Sequence, residues 1–326
     1  LPGRKALVAI KAVEFATSQL AIAPDGAIWM NIETKGLTRL DPGLTELESY
    51  SFGYGMDANS PDGGFSSLLI DRAGLLWAGT KTQGVTISNT QKNAFTHALN
   101  PAESSNPNMP MVNNVRALAA SETGFYSGGE SGIVRLHQKD GTVLQEVALL
   151  NTLDSGPKSA TRGLRIHSLV RRGRTLFAGT SGGLFSASLQ ASDRIEKFSH
   201  IEPERIATVR ALRIAADDSL LVGTDAGLLH FDANFALISQ TQAGAQALPD
   251  NMVLAVFEDS HKRLYVGTRN GLAIKTANSW RSYQSEQGNP RSIPGNLIRS
   301  FTEGQDGKIW IATHSGLARI DRFEAS

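Results

Sequence analysis

Seven times along the chain one short pattern recurs: a bulky residue, a turn of small residues, then a glycine that opens an apolar strand. The copies read WMNIETKGLTRL, WAGTKTQGVTIS, YSGGESGIVRL, FAGTSGGLFSA, LVGTDAGLLHF, YVGTRNGLAIK and WIATHSGLARI. Their anchor glycines are Gly36, Gly84, Gly132, Gly183, Gly227, Gly271 and Gly316, spaced 48, 48, 51, 44, 44 and 45 residues apart. A strand-rich repeat of that length builds an array of small sheets, each too small to bury its apolar face alone. Residues before the first anchor and after the last add up to one further period, so the repeat occupies all 326 residues. A unit split between the two termini is what a closed ring leaves.

One unit shows the strand plan. In 112–149, VNNVRALAAS alternates, SETG turns, FYSGG is a short strand, ESG connects, and IVRLHQ, KDG and TVLQEVALL supply strand, turn and strand. Four short strands with tight turns form an antiparallel meander. PDG at 24–26, RAG at 72–74 and QDG at 305–307 fill the SETG slot, where glycine supplies the positive φ of a tight hairpin. The bulky slot holds Trp29, Trp77, Tyr126, Phe177, Leu221, Tyr265 and Trp310, expected to pack one sheet against the next. The last unit lacks a fourth strand and the first has a spare one, KALVAIKAV at 5–13. The expected fold is therefore all-β: a seven-bladed β-propeller with four-stranded blades, a single domain over 1–326, in which the N-terminal strand completes the last blade as its outermost strand.

Composition excludes several functions. Net charge is +1, from 32 basic and 31 acidic residues, which gives no reason to expect a nucleic acid or a membrane surface as partner. The absence of cysteine removes disulfides, thiolate metal sites and thiol nucleophiles, and it fits an oxidising compartment. No apolar window is long enough to span a bilayer. The chain opens at leucine, as a processed or excised fragment would, and a signal peptide or membrane helix is expected outside these residues.

The stretch NPRSIPGNLIRSFTEGQDGKIWIATHSGLARI at 289–320 resembles the two-component regulator propeller repeat, with partial copies at 248–275 and 67–86. The resemblance extends over all seven units and is strongest in the second, sixth and seventh. WD40 is disfavoured because no unit carries the Gly-His and Trp-Asp pair, and Kelch for want of a regular Gly-Gly doublet. The resemblance implies a periplasmic sensor module placed before a transmembrane helix and a cytoplasmic histidine kinase or GGDEF-type diguanylate cyclase. It also implies signalling as a homodimer of the full-length protein. Members often carry two propellers and a β-sandwich, whereas this chain has one set of seven units and no sandwich.

A ligand is expected where the units disagree. The long inter-blade loops are 53–65, 100–113, 151–163, 242–250 and 285–296. Counting back from the bulky slot puts Ser18, Ser66, Arg116, His167, Arg210, Leu254 and Arg299 at one equivalent position of the innermost strands. Arginines converging with a histidine suit the carboxylates or phosphates of an anionic small molecule or oligosaccharide. The ligand-binding set is then Arg116, His167, Arg210, Arg299, Ser18 and Ser66, with no cofactor and no metal. The competing reading pairs each arginine with an acid such as Glu130, Asp225 or Asp250.

No catalytic residue is assigned. The repeat is also similar to that of streptogramin-lyase propellers, whose metal-assisted chemistry uses paired histidines and a glutamate. Here His97, His137, His167, His200, His230, His261 and His314 are scattered, with none at i, i+2 or i, i+4 spacing. DRAGLLW at 71–77 and QDGKIW at 305–310 faintly resemble the Asp-box of sialidases, which is structural. A third reading is a protein-interaction platform, for which an exposed patch of Tyr54, Phe65 and Trp280 is the expected sign.

Overall fold

The computed structural model describes residues 7–11, 17–32, 36–50, 65–71, 74–81, 84–89, 94–97, 114–149, 164–201, 208–276, 279–289 and 291–320. The fold is all-β, a seven-bladed propeller of four-stranded antiparallel sheets. In the third blade, Val115–Ala120, Gly124–Gly129, Ile133–Gln138 and Val143–Ala148 pair in chain order, as the sequence pattern predicts. The seventh blade departs from that order. Its strands Ile298–Glu303, Ile309–Thr313 and Gly316–Ile320 are completed by Leu7–Lys11, which pairs antiparallel with the last of them through Leu7 opposite Ile320 and Ala9 opposite Ala318. The spare N-terminal strand is thus the outermost strand of the last sheet.

The repeated residues build the scaffold. All seven anchor glycines have positive φ, from 70° at Gly132 to 140° at Gly316. An L-residue there is strained, so the repeat keeps glycine. In five blades the preceding threonine (Thr80, Thr180, Thr224, Thr268 and Thr313) donates its hydroxyl to the anchor glycine's carbonyl at 2.8–3.0 Å. In four of them the same oxygen accepts an amide two residues on, which locks the connection. The Gly-Thr motif is therefore turn chemistry.

The chain divides into two compact units, 52–214 and 1–51 with 215–326. In both, the bulky slot is core: Trp29, Trp77, Tyr126, Phe177, Leu221, Tyr265 and Trp310 are all at most 4 % exposed. Within 52–214, Trp77 meets Phe125 of the next blade at 4.2 Å between ring centroids, and Tyr126 packs with Ile166 and Leu169 of the blade after. In the other unit, Tyr265 packs with Ile298 and Ile311, and Trp310 with Leu20 and Met30. Each such ring contributes a few kcal/mol of gross burial, at roughly 25 cal/mol per Å². Asp71 accepts from the Leu75 amide at 2.9 Å and from the Trp77 indole at 3.1 Å, so the DRAGLLW aspartate holds a hairpin to its aromatic.

One expectation fails. Phe65 is not an exposed loop aromatic: it is 2 % exposed and opens the strand Phe65–Ile70. It occupies the phase of Val115 and Ile166, a buried position. Trp280 is half-buried against the cluster of Leu221, Val253 and Val266, with Lys275 Nζ 5.7 Å from its ring centre. Tyr54 and the loops 53–64, 100–113 and 151–163 lie outside the described residues.

Candidate functional site

The positions found by counting back fall at the second residue of every innermost strand: Ser18, Ser66, Arg116, His167, Arg210, Leu254 and Arg299. The residue before each of the last six is apolar and at most 2 % exposed: Phe65, Val115, Ile166, Val209, Val253 and Ile298. Val115, Ile166, Val209 and Ile298 seat on glycines of the preceding blade. A Cβ built at Gly128 would lie 2.9 Å from Ile166, one at Gly179 2.5 Å from Val209, and one at Gly267 2.6 Å from Ile298. Close approach at residue one is followed by a break in pairing at residue two. Strand register skips Ser66, Arg116, His167, Leu254 and Arg299, and slips between Thr17 and Leu20 around Ser18. A bulged residue is unpaired and its side chain re-aimed. In five blades the scaffold thus presents one re-aimed side chain at this position.

In 52–214 these side chains form a polar group. Arg116 Nε lies 2.5 Å from Glu130 Oε1 and Arg165 Nε 3.2 Å from Glu130 Oε2, so two guanidiniums of adjacent blades grip one carboxylate. The arginines are 43 % and 59 % exposed, whereas Glu130 is 9 % exposed, so the carboxylate is the fixed element and the cations reach outward from it. Glu130 is held by its amide, which donates to the Asn114 carbonyl at 3.1 Å. Arg165 is held by its amide on Ser181 Oγ at 3.1 Å and by the Ser181 amide on its carbonyl at 2.9 Å.

His167 sits half-buried among these charges. Its pKa is pushed down to about 4, first by burial and then by the guanidiniums of Arg116, Arg210 and Arg165, with Glu130 opposing. The imidazole is therefore neutral at pH 7, able to donate one hydrogen bond and accept another. Ser66 hydrogen-bonds the carbonyls of Val115 and Gly79, so its hydroxyl braces the neighbouring blade. The structure brings Arg116, His167 and Arg210 together, and adds Arg165 and Glu130 to them. Arg165 escaped the sequence count because it lies just before the strand rather than in the phased slot.

The other unit carries Ser18, Leu254 and Arg299. Arg299 is exposed, Leu254 offers no polar group, and the side chain of Ser18 lies outside the described residues. Asp250, one of the counter-ions considered for these arginines, pairs instead with Arg269 at 3.3 Å. The loops 242–250 and 285–296 are braced by one repeated device. Asn251 Oδ1 accepts the Ala243 amide at 2.8 Å and Asn296 Oδ1 the Ser285 amide at 2.6 Å, while Leu248 and Ile293 are fully buried beneath them.

Those asparagines and apolar residues belong to the segments LPDN and IPGN. Residues 247–270 and 292–315, which contain them, match the two component regulator propeller family. The chain carries two component regulator propeller repeats. The family's motif residues are thus those that fold the loop, grip the blade and form the Gly-Thr turn.

Solved structures with the same fold include the extracellular domains of the hybrid two component systems BT4673 and BT3049 from B. thetaiotaomicron. The first is 19 % identical with a TM-score of 0.72, covering 99 % of this chain and 40 % of that one. The second is 17 % identical with a TM-score of 0.71, covering 97 % and 42 %. This chain therefore spans about two fifths of those domains. Virginiamycin B lyase from Staphylococcus aureus has the fold at 12 % identity and a TM-score of 0.70, covering 97 % of both chains. No curated protein matches the chain.

Among the described residues no group of three His, Asp or Glu side chains is arranged to hold a metal ion. The histidines have local partners. The His137 ring Nδ1–H donates to the Gly141 carbonyl at 3.2 Å, which leaves Nε2 to accept from Ser127 Oγ at 2.7 Å. His200 Nε2 donates to the Gly182 carbonyl at 2.8 Å, and His230 Nε2 lies 2.8 Å from Ser219 Oγ. His314 is exposed at a connection of the seventh blade.

Proposed function

We propose that this two component regulator propeller, acting as one domain over 1–326, is the non-catalytic ligand-sensing part of a bacterial membrane-bound signalling protein, on the periplasmic side. Its output is a histidine kinase or a GGDEF-type cyclase elsewhere in the full-length chain, which works as a homodimer. The observation that carries the ligand reading is the group formed by Arg116, Arg165, Arg210 and the neutral His167 on adjacent blades, in which Arg116 and Arg165 pair with a single carboxylate, Glu130. Guanidiniums recognise carboxylates and phosphates through paired N–H donors, and an exposed pair anchored on a buried acid is already oriented for that task. The ligand is an anionic small molecule or acidic oligosaccharide, and within 52–214 Ser66 lies at the same strand position as Arg116, His167 and Arg210. Among the described residues no helix is long and apolar enough to cross a membrane.

Thermal-shift screening with dicarboxylates, phosphate monoesters and acidic oligosaccharides tests this reading, because a ligand that binds only the folded state raises its melting temperature. A hit lost in Arg116→Ala and Arg210→Ala supports it, and unchanged affinity in both refutes it. The second reading, a lyase, is favoured by the full-length match to virginiamycin B lyase. It requires turnover that His167→Asn abolishes.

A further inference from the structure

We infer that 52–214 carries a second ligand site, a cleft at the far ends of the same innermost strands, built for an organic anion with an apolar body. The cleft has a volume of 1020 Å³, enough for a ligand of two or three rings. It lies apart from the Arg116 group. Arg116 is the second residue of Val115–Ala120, and the cleft is lined from the other end of that strand onward, by Ala120, Ser121 and Glu122. One wall is apolar: Leu69 and Ile70 are half-buried above the Trp77–Phe125 pair. The other wall is basic, with Lys139, Arg171 and Arg174, while of the two lining carboxylates Asp71 is taken up by the Leu75 amide and Trp77 indole and Glu122 by Arg171.

The charges decide what this wall does. Arg171 is committed, bonding Glu122 at 2.6 Å, Asp193 at 3.0 Å and the Gly173 carbonyl at 2.9 Å. Lys139 and Arg174 are exposed, and among the described residues neither side chain has an acid or a hydrogen-bond partner. That departs from the corresponding side of other blades, where the cation is matched beside the hairpin. Arg39 pairs with Asp25 at 2.8 Å, Lys308 with Asp306 at 2.6 Å, and Arg263 with Asp259. The mouth is also open, since a Cβ built at Gly173 meets nothing within 4 Å. Two unmatched cations facing an apolar wall across an open cleft select an anionic head on an apolar body. A neutral molecule leaves the cations unused, and a compact inorganic anion leaves the apolar wall wet.

The probe is 8-anilinonaphthalene-1-sulfonate, an aromatic sulfonate whose fluorescence rises in an apolar site, titrated into the folded chain beside its neutral analogue N-phenyl-1-naphthylamine. Saturable binding at one site is expected, weakened at least tenfold in Lys139→Glu/Arg174→Glu and unchanged in Arg116→Ala. The neutral analogue is expected to bind at least tenfold more weakly than the sulfonate. The Lys139→Ala/Arg174→Ala chain, which introduces no repulsion, serves if the reversal variant loses its melting transition, and an intermediate loss is expected there. Equal affinity of the folded double variant for the sulfonate, equal affinity of wild type for the two dyes, or no saturable binding overturns the proposal. Because Arg116→Ala tests the other site, either can fail alone.

Discussion

The same strand position is chemically different in the two units. In 52–214 it holds Ser66, Arg116, His167 and Arg210, three of them cationic or imidazole groups coupled to one another and to Glu130. In 1–51 with 215–326 it holds Ser18, Leu254 and Arg299, and Arg299 makes no ion pair among the described residues. The backbone beneath them is alike. A buried apolar residue precedes the position everywhere but at Ser18, and the pairing skips or slips there in both units. Geometry is repeated and chemistry is not, so the proposed recognition is assigned to the unit in which side chains on adjacent blades can act together.

The strongest way to break that comparison is to show that the scaffolds are unequal. Tyr126 and Tyr265 fill the same slot, both fully buried, with hydroxyls donated to the Asp193 carbonyl at 2.7 Å and to Asp259 Oδ2 at 2.9 Å. Truncating a buried aromatic costs about 3–5 kcal/mol. Tyr126→Ala and Tyr265→Ala are each expected to lose that much in urea unfolding. A difference between them beyond roughly 2 kcal/mol would mean that the repeat is not the common scaffold its spacing implies.

Next in size is a pH effect centred in 52–214, where the pKa values of His137 and His167 are both lowered to about 4, with that of His230 in the other unit lowered as well. His137 is fully buried and stacked on Phe125 at 4.4 Å, and burial lowers its pKa from 6.5 to about 4. The folded state thus resists a proton that the unfolded chain accepts. Its contribution is complete above pH 6.5 and is lost as pH falls from 6.5 towards 4, a total on the order of 3 kcal/mol at 1.36 kcal/mol per pKa unit. Denaturation midpoints measured at pH 7.5, 5.5 and 4.5 check this. A slope unchanged in His137→Gln would remove His137 as its source.

Anion affinity separates the two sets of side chains directly. Losing a charged hydrogen bond costs about 1.5–3 kcal/mol. Arg116→Ala and Arg210→Ala are therefore expected to weaken a bound anion by roughly ten- to a hundredfold, and Arg299→Ala by less. Calorimetric titration of the three variants with the best anion from the screen decides it. An effect of Arg299→Ala equal to the other two would erase the distinction. Since His167 is neutral when the site is empty, a bound anion favours its protonated form. Affinity should therefore rise as pH falls from 7 towards 5, and His167→Asn should flatten that dependence.

The scaffold was legible because its rules act at fixed phase. A positive-φ turn needs glycine and a blade interface needs a ring, so both stand out as periodic letters, and the unpaired terminal strand follows from counting. The bulge was not legible, since pairing skips alike where the count from position to ring is 11, as at Ser66, Leu254 and Arg299, and where it is 10, as at Arg116 and His167, so the spacing carries no mark of it. Phe65 was misread because composition placed it in a loop, although it shares the phase of Val115, Ile166 and Val209. Arg165 lies outside the phased slot, and only its grip on Glu130 in three dimensions reveals it.

Glu130 gives the smallest and most specific prediction. It is a nearly sealed acid inside the proposed anion site, so it both orients Arg116 and Arg165 and would compete with a ligand for them. Glu130→Gln keeps the shape and a hydrogen-bonding oxygen but removes the charge. If orientation dominates, anion affinity falls. If competition dominates, it rises. The arginines are half-exposed while Glu130 is nearly sealed, so their outward N–H groups remain free to meet a ligand when the carboxylate is neutralised. We therefore expect a gain of a few fold, with a small loss of thermal stability from the weakened ion pairs, given that exposed pairs are worth about 0–1 kcal/mol. A loss of affinity instead would make Glu130 a positioning residue, and would leave the contrast between the units resting on the arginines' placement rather than on their charge.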